Sequence, residues 1–315
     1  MKKSAYLLIL VLIVITGCAH LLEGDPIPVE VGKYNLISDT VKIVPDLGID
    51  DPQTLGLEDG CFFNEAPENQ KIEINAFLPI RFDLSKDMPP VKTQGKVGCC
   101  ASFATTYYMK SYQEKIQHTY EYDNYGKVMS PSYVYNQVKV SEDCTKGSCL
   151  MNNLLILKRQ GATTWQQFPF DGISCSLQPN DVQKELAKVN KIKAIYIVPL
   201  NDSSTINYKR SMAIKSLLFK KIPVVIGMKI DDDFKEAKKN SDSVYIYNKF
   251  NSAKPFGRHG MLIVGYDDRL NAFKVINSWG TSWGNKGYCY IKYDFFDLMT
   301  EDFEYLGEVY YTEDI

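Results

Sequence analysis

From Pro223 to Tyr293 the chain is a series of short apolar runs broken by polar turns. The runs are Pro223 to Met228, Val244 to Tyr247, Met261 to Tyr266, Ala272 to Asn277 and Tyr288 to Tyr293. Runs of this length bounded by turn residues predict strands. Earlier in the chain the spacing differs. Phe103, Ala104, Tyr107, Tyr108, Tyr112 and Ile116 recur three and four apart, which predicts a helix from about Cys100 to Gln117. A second helix is expected over Met151 to Gln160, stopped by Gly161, and a third over about Tyr208 to Lys220. Helices that precede strands, rather than alternate with them, predict an α+β chain with two unlike lobes. At 315 residues, 45% of them hydrophobic, the chain is long enough to give both lobes a core.

Two thiols, Cys99 and Cys100, stand at the mouth of the first helix. A helix start carries unpaired N–H groups and a partial positive charge. That field favours a thiolate, and the N–H groups can hold an oxyanion. A nucleophilic thiol also needs a base, and the chain has three histidines. His20 belongs to the N-terminal extension. His118 lies about 27 Å along the helix from Cys100, out of reach. His259 is left, just before the strand Met261 to Tyr266. That strand, the polar turn Asp267 to Asn271 and the strand Ala272 to Asn277 predict a hairpin. It brings His259 and Asn277 to the same end, where the amide oxygen can accept the imidazole N–H and orient the ring. A core histidine satisfied by a nearby amide is the plainer reading of His259 alone. Paired thiols at a helix start and Gln94, six residues before Cys100, weigh against it, since a side-chain amide is a suitable second oxyanion donor. Alternation aims Arg258 away from His259; if Arg258 lines a cleft, it is expected to favour acidic side chains there.

The N-terminus reads as a targeting segment. Lys2 and Lys3 precede the run Ala5 to Ile15, which is shorter than the roughly 20 apolar residues needed to span a bilayer. Ile15-Thr16-Gly17-Cys18 resembles the lipobox of bacterial lipoproteins. The resemblance implies removal of residues 1–17, lipidation of Cys18 and an exported, membrane-anchored protein of the cell envelope or surface. Residues 18–76 carry an excess of Asp and Glu and read as an acidic tether with short strands at Lys42 to Val44 and Lys71 to Ile74. No inhibitory helix is apparent there. The third segment, 77–315, is expected to be the working domain, its lobes divided near 190–200. Basic and acidic residues number 36 and 38, without a long basic run, which argues against nucleic acid as a partner. No CxxC or HxxxH spacing suggests a metal site, and no cofactor is expected.

Three segments resemble the papain-like cysteine peptidases. Gln94-Gly95-x-x-Gly98-x-Cys100 is similar to their nucleophile segment, and Arg258-His259-Gly260 with Val264-Gly265-Tyr266 to their histidine strand. Asn277-Ser278-Trp279-Gly280, followed by Trp283-Gly284 and Gly287-Tyr288, is similar to their asparagine segment, and Leu78-Pro79 with Asp83 to the start of their mature domain. The resemblance implies a two-lobe fold, with a helical left lobe, a β-barrel-like right lobe of antiparallel strands and the cleft between them. It implies Cys100 as nucleophile, His259 as base and acid in a thiolate–imidazolium pair, Asn277 as orienter and Gln94 as oxyanion donor. Trp279 would shield the Asn–His hydrogen bond, and peptides or proteins would be the substrate. It also implies a Cys144–Cys175 disulfide. The position that usually bonds Cys149 is Val97 here, which leaves Cys149 either free or directed to Cys99. Ala101 replaces the usual aromatic after the nucleophile. Two alternatives stay open at this stage: an acyl transferase or amidase using the same dyad, and a non-catalytic binding lipoprotein.

Overall fold

The computed structural model describes residues 55–58, 65–122, 125–199, 209–237, 244–298 and 306–315. The helical part is built on α1, which runs without a break over 100–118. Its first turn, Cys100–Ser102, and its last two, Ser111–His118, are α-helical; between them Phe103–Lys110 adopts the wider π-helical bonding. Every residue from Cys100 to Tyr112 is buried, so α1 is a central helix rather than an amphipathic surface one. Phe103, Tyr107 and Tyr108 pack with Trp165 and Phe170 on one side. The buried Lys110 is held by Glu114, Asp314 and the Lys191 carbonyl, which compensates its charge and ties α1 to the C-terminal strand. Around α1 lie α2 (Pro131–Val138), capped by Ser130 with Pro131 in its first turn, and α3 (Leu150–Arg159). Gly161, at φ +85, ends α3 as the sequence suggests. Two peripheral helices follow, α4 (Asp181–Ala187) with a capping box between Asn180 and Gln183, and α5 (Arg210–Phe219).

The other part is one sheet. Its strands are β1 (Arg81–Asp83), β2 (Ile192–Ile197), β3 (Val224–Asp231), β4 (Ile246–Tyr247), β5 (Pro255–Asp267), β6 (Ala272–Ile276), β7 (Tyr288–Lys292) and β8 (Leu306–Asp314). The order is β2-β8-β3-β5-β6-β7-β4, with β1 on β5; only the β4–β7 pair is parallel. The 13-residue β5 organises the site. It pairs with β3 over its first part, while β6 joins only from Leu262 onward. His259 and Gly260 therefore lie where β5 has no β6 partner, and the mouth of α1 occupies that place. Helical and sheet parts form the two-lobe α+β arrangement that the sequence predicts.

Two local expectations differ. Lys71 to Ile74 forms no strand; Ile72 is buried while Glu68 makes a single bridge to Tyr196 on β2. Lys42 to Val44, His20 and Cys18 lie outside the described residues. Cys144 and Cys175 are disulfide-bonded. Cys149 is neither free nor joined to Cys99: it is disulfide-bonded, and Cys99, Cys100 and Cys289 are the free, buried thiols among the described residues.

Candidate active site

Cys100 is the first residue of α1, and Cys99 is its N-cap. The loop before them fits only because of its glycines. Gly95 takes φ +58, and a Cβ on Gly98 would lie 2.5 Å from the Lys146 carbonyl oxygen. Across the interface, a Cβ on Gly260 would press on the Ala101 backbone at 3.2 Å. The bare glycine lets β5 reach the helix mouth, and its N–H donates to Cys100 Sγ at 3.3 Å. The residue after the histidine thus touches the thiol directly.

His259 Nε2 and Asn277 Oδ1 are 2.7 Å apart. The amide oxygen can only accept, so Nε2 carries the hydrogen and Nδ1 presents its lone pair. Nδ1 is buried without a hydrogen-bond partner among the described residues. The Ser278 N–H also donates to Asn277 Oδ1, at 2.7 Å, and the Tyr108 hydroxyl on α1 donates to the Asn277 carbonyl at 2.9 Å. Trp279 lies over the imidazole, ring centroids 4.5 Å apart, backed by Trp283 and Phe234.

Gln94 is held by bonds at both ends of its amide. Its Nε2 donates to the Val97 carbonyl at 2.9 Å, and its Oε1 accepts from the Ser278 hydroxyl at 2.6 Å. Its own N–H donates to the Ser278 carbonyl. Ser278 therefore fixes which way the Gln94 amide faces and braces Asn277 as well. The sequence signal for it was only its place beside Asn277; the role depends on what lies opposite. His118 stands at the far end of α1, 3.3 Å from Glu114, and takes no part.

Cys100, His259 and Gln94 have no exposed surface, and Asn277 has 1%. Burial pushes the Cys100 thiol up to about 12, against the opposing N–H groups of Gly260, Ala101 and Cys100 itself. Burial likewise pulls His259 down to about 4, although the Asn277 bond favours its charged form. Loss of water thus works against the charged forms of both groups and opposes the helix-mouth field.

A segment of the chain's own extension docks beside this site. Residues 55–58 run parallel to the 147–149 segment: the Ser148 N–H donates to the Gly56 carbonyl at 2.9 Å, and the Glu58 N–H to the Ser148 carbonyl at 3.2 Å. A Cβ on Gly56 would fall 2.0 Å from the Gly98 carbonyl oxygen, so this strap lies directly on the loop before Cys100. Leu57 is buried over Gly227, where an added Cβ would come within 2.6 Å of its Cδ2. Leu55 covers Gly257 in the same way. Gly260, Gly227 and Glu308 are register partners across β5, β3 and β8, and so share one face. Arg258 shares that face by alternation, opposite to His259 as expected. Its guanidinium meets Glu308 at 3.5 Å, so it offers no uncompensated charge to attract acidic side chains.

Comparison with known proteins places the fold in a family. The family model described as "Papain family cysteine protease" matches residues 78–301. A peptidase C1-like protein of Acanthamoeba polyphaga mimivirus is 24% identical over 223 residues, 69% of either chain. A cathepsin L-like proteinase of Fasciola hepatica is 25% identical over 226 residues, 68% of this chain and 60% of that protein. A senescence-specific cysteine protease of Arabidopsis thaliana is 26% identical over 69% of this chain and 57% of its own length. The chain thus spans less than two thirds of the latter two. Among solved structures, xylellain, a cysteine protease from Xylella fastidiosa, superposes with a TM-score of 0.66 at 19% identity, covering 84% of this chain and 97% of that one. Bromelain from Ananas comosus gives 0.55 at 17% identity, with 76% and 100% covered. By its fold and by the family match across both lobes, this chain belongs to the papain family of cysteine proteases.

Proposed function

We propose that the chain is a cysteine peptidase, held closed by residues 55–58. The observation that carries the reading is the meeting of Cys100 at a helix mouth with the β5 backbone beside an Asn277-oriented His259. When the strap leaves, water enters and the cost of charge falls. The Cys100 proton then passes to His259 Nδ1, the one nitrogen left with a lone pair. The thiolate attacks the peptide carbonyl carbon. The resulting oxyanion is held by the Cys100 N–H, which has no helical partner at that position, and by the remaining Gln94 amide hydrogen. Protonated His259 gives its proton to the leaving amine. The ring then takes a proton from water, which hydrolyses the acyl-enzyme and frees the thiolate. Trp279 keeps solvent from the His259–Asn277 bond. The extension 18–76 is in this reading a strap in part of its length rather than a plain tether.

The test uses protein from which the strap has been removed by limited proteolysis. A peptidyl epoxide is expected to alkylate Cys100 and leave Cys99 unmodified on mass mapping. Peptide substrate is expected to yield free acid even with an added amine nucleophile; a predominantly aminolysed product would make the chain an acyl transferase instead. No labelling of Cys100 and no turnover would leave the binding-lipoprotein reading.

Anchoring through Cys18 is part of the same proposal and rests on the lipobox-like sequence alone. Expressed in a bacterium that processes lipoproteins, the parent chain is expected in the membrane fraction and the Cys18→Ser chain in the soluble fraction. Equal distribution would remove the anchor.

A further inference from the structure

One buried side chain joins the nucleophile helix to the edge on which the strap docks. Asn153, on α3, is wholly buried, as are Ser102 and Ser148. Its Oδ1 accepts from the Ser102 hydroxyl, two residues along α1 from Cys100. Its Nδ2 donates to Ser148 Oγ at 2.9 Å and to the Cys149 carbonyl at 2.7 Å. Both amide hydrogens are spent, and the oxygen accepts one bond. Ser148 is the residue whose N–H and C=O pair with the strap. The path from docked peptide to reacting thiol is therefore Ser148, Asn153, Ser102 and one helical turn.

We propose that Asn153 is a positioning residue that fixes the peptide-docking edge at Ser148 against the first turn of the helix carrying Cys100. This rests on the proposed peptidase function and takes the edge that residues 56–58 pair with as the one a substrate peptide would use. A peptide paired along Ser148 is useful to Cys100 only if the edge and the sulfur hold one separation. Backbone pairing alone fixes the peptide on the edge, not the edge on the helix. Asn153 supplies that second constraint in a dry setting, where a satisfied network is rigid and a broken one is costly. The geometry also explains the residue type. An aspartate could still accept from Ser102 but could donate to neither Ser148 nor Cys149, and a leucine could do neither.

The strap makes the proposal testable in the intact chain without any peptide hydrolysis. Iodoacetamide alkylation is followed by mass mapping at Cys100 and at Cys289, a free thiol buried in β7. Asn153→Asp is expected to speed alkylation of Cys100 about tenfold, the equivalent of roughly one buried hydrogen bond, because the loosened edge releases the strap more often. Cys289 is expected to stay protected. Ser102→Ala, which keeps the Ser148 bond, is a milder second variant and is expected to fall between parent and Asn153→Asp. With the strap removed, Asn153→Asp is expected to raise KM for extended peptides about tenfold and to leave kcat within about threefold. An unchanged Cys100 rate in both variants would overturn the proposal. So would a matching rise at Cys289, which would mean general loosening, or an equal loss in kcat and kcat/KM at constant KM. If alkylation responds as expected while no peptide is ever cleaved, the peptidase reading fails and the positioning role stands.

Discussion

Cys100→Ala is expected to lower peptide turnover of the strap-free protein by at least about 10⁴-fold, and Cys99→Ala to leave it within about threefold. The two thiols are adjacent and both buried, so burial does not separate them. Position does. Cys99 is the N-cap, with φ −107 and ψ 27, outside the helical series, whereas Cys100 is the first residue of α1 and faces the helix-mouth N–H groups. The Gly260 N–H, next to the base, touches the sulfur of Cys100. Burial, with the neighbouring Cys100 adding to it, raises the Cys99 thiol well above its ordinary range. His259→Ala is expected to match Cys100→Ala in size, because in the proposed mechanism the two act as one unit. Gln94→Ala is expected to cost about 10²–10³ in kcat with little change in KM, the usual loss of one oxyanion donor. Steady-state kinetics on one fluorogenic peptide reads all four. Comparable activity in Cys100→Ala and parent would remove the nucleophile assignment, and a collapse in Cys99→Ala would move it.

The candidate site could be assembled from the sequence because thiol chemistry restricts the choice of partner. Three histidines, one of them beside a predicted hairpin, leave His259, and the hairpin supplies Asn277. The helix α1 was legible from its three-and-four spacing even though it is buried all round. Helix α2 was not, because it too is buried nearly all round and has no spacing to read; only Ser130-Pro131 marked its start. Helix α4 has the opposite fault: it buries only Ala187, so no apolar stripe shows, and the Asn180–Gln183 capping box is its one signal. Strand β8 reads Leu-Gly-Glu-Val-Tyr-Tyr-Thr-Glu-Asp, a polar run that becomes a strand because β2 and β3 flank it. Ser278, Gly227 and Gly260 draw their roles from what lies across a gap. The same holds for Leu55-Gly56-Leu57-Glu58, four residues with no strand signal of their own that pair with Ser148, some ninety residues away.

Displacing that strap should have the second large effect. Gly56→Ala places a methyl 2.0 Å from the Gly98 carbonyl oxygen, a contact with backbone that no side-chain rotation relieves. Its expected cost is confined to the docked state, since a released strap leaves the methyl in water. Losing the burial of Leu57 over Gly227 adds about 1.5–3 kcal/mol against docking. Together these predict alkylation of Cys100 by iodoacetamide at least about 100-fold faster than in the parent at pH 7.5. The pH dependence of stability should change with it. His259 falls from an ordinary 6.5 to about 4 in the closed chain, so it contributes stability above about pH 6.5 that is lost as pH falls toward 4. Cys100 rises from 9.0 to about 12, so it contributes below about pH 9 stability that is lost as pH rises toward 12. From these two groups the parent's Tm is expected to be flat between about pH 6.5 and 9 and to fall on both sides. In Gly56→Ala water reaches both groups, their shifts shrink, and both limbs should flatten. A parent-like alkylation rate in Gly56→Ala would mean that residues 55–58 do not guard the thiol. A fast rate with unflattened limbs would mean that the burial of Cys100 and His259 comes from the two lobes themselves rather than from the strap.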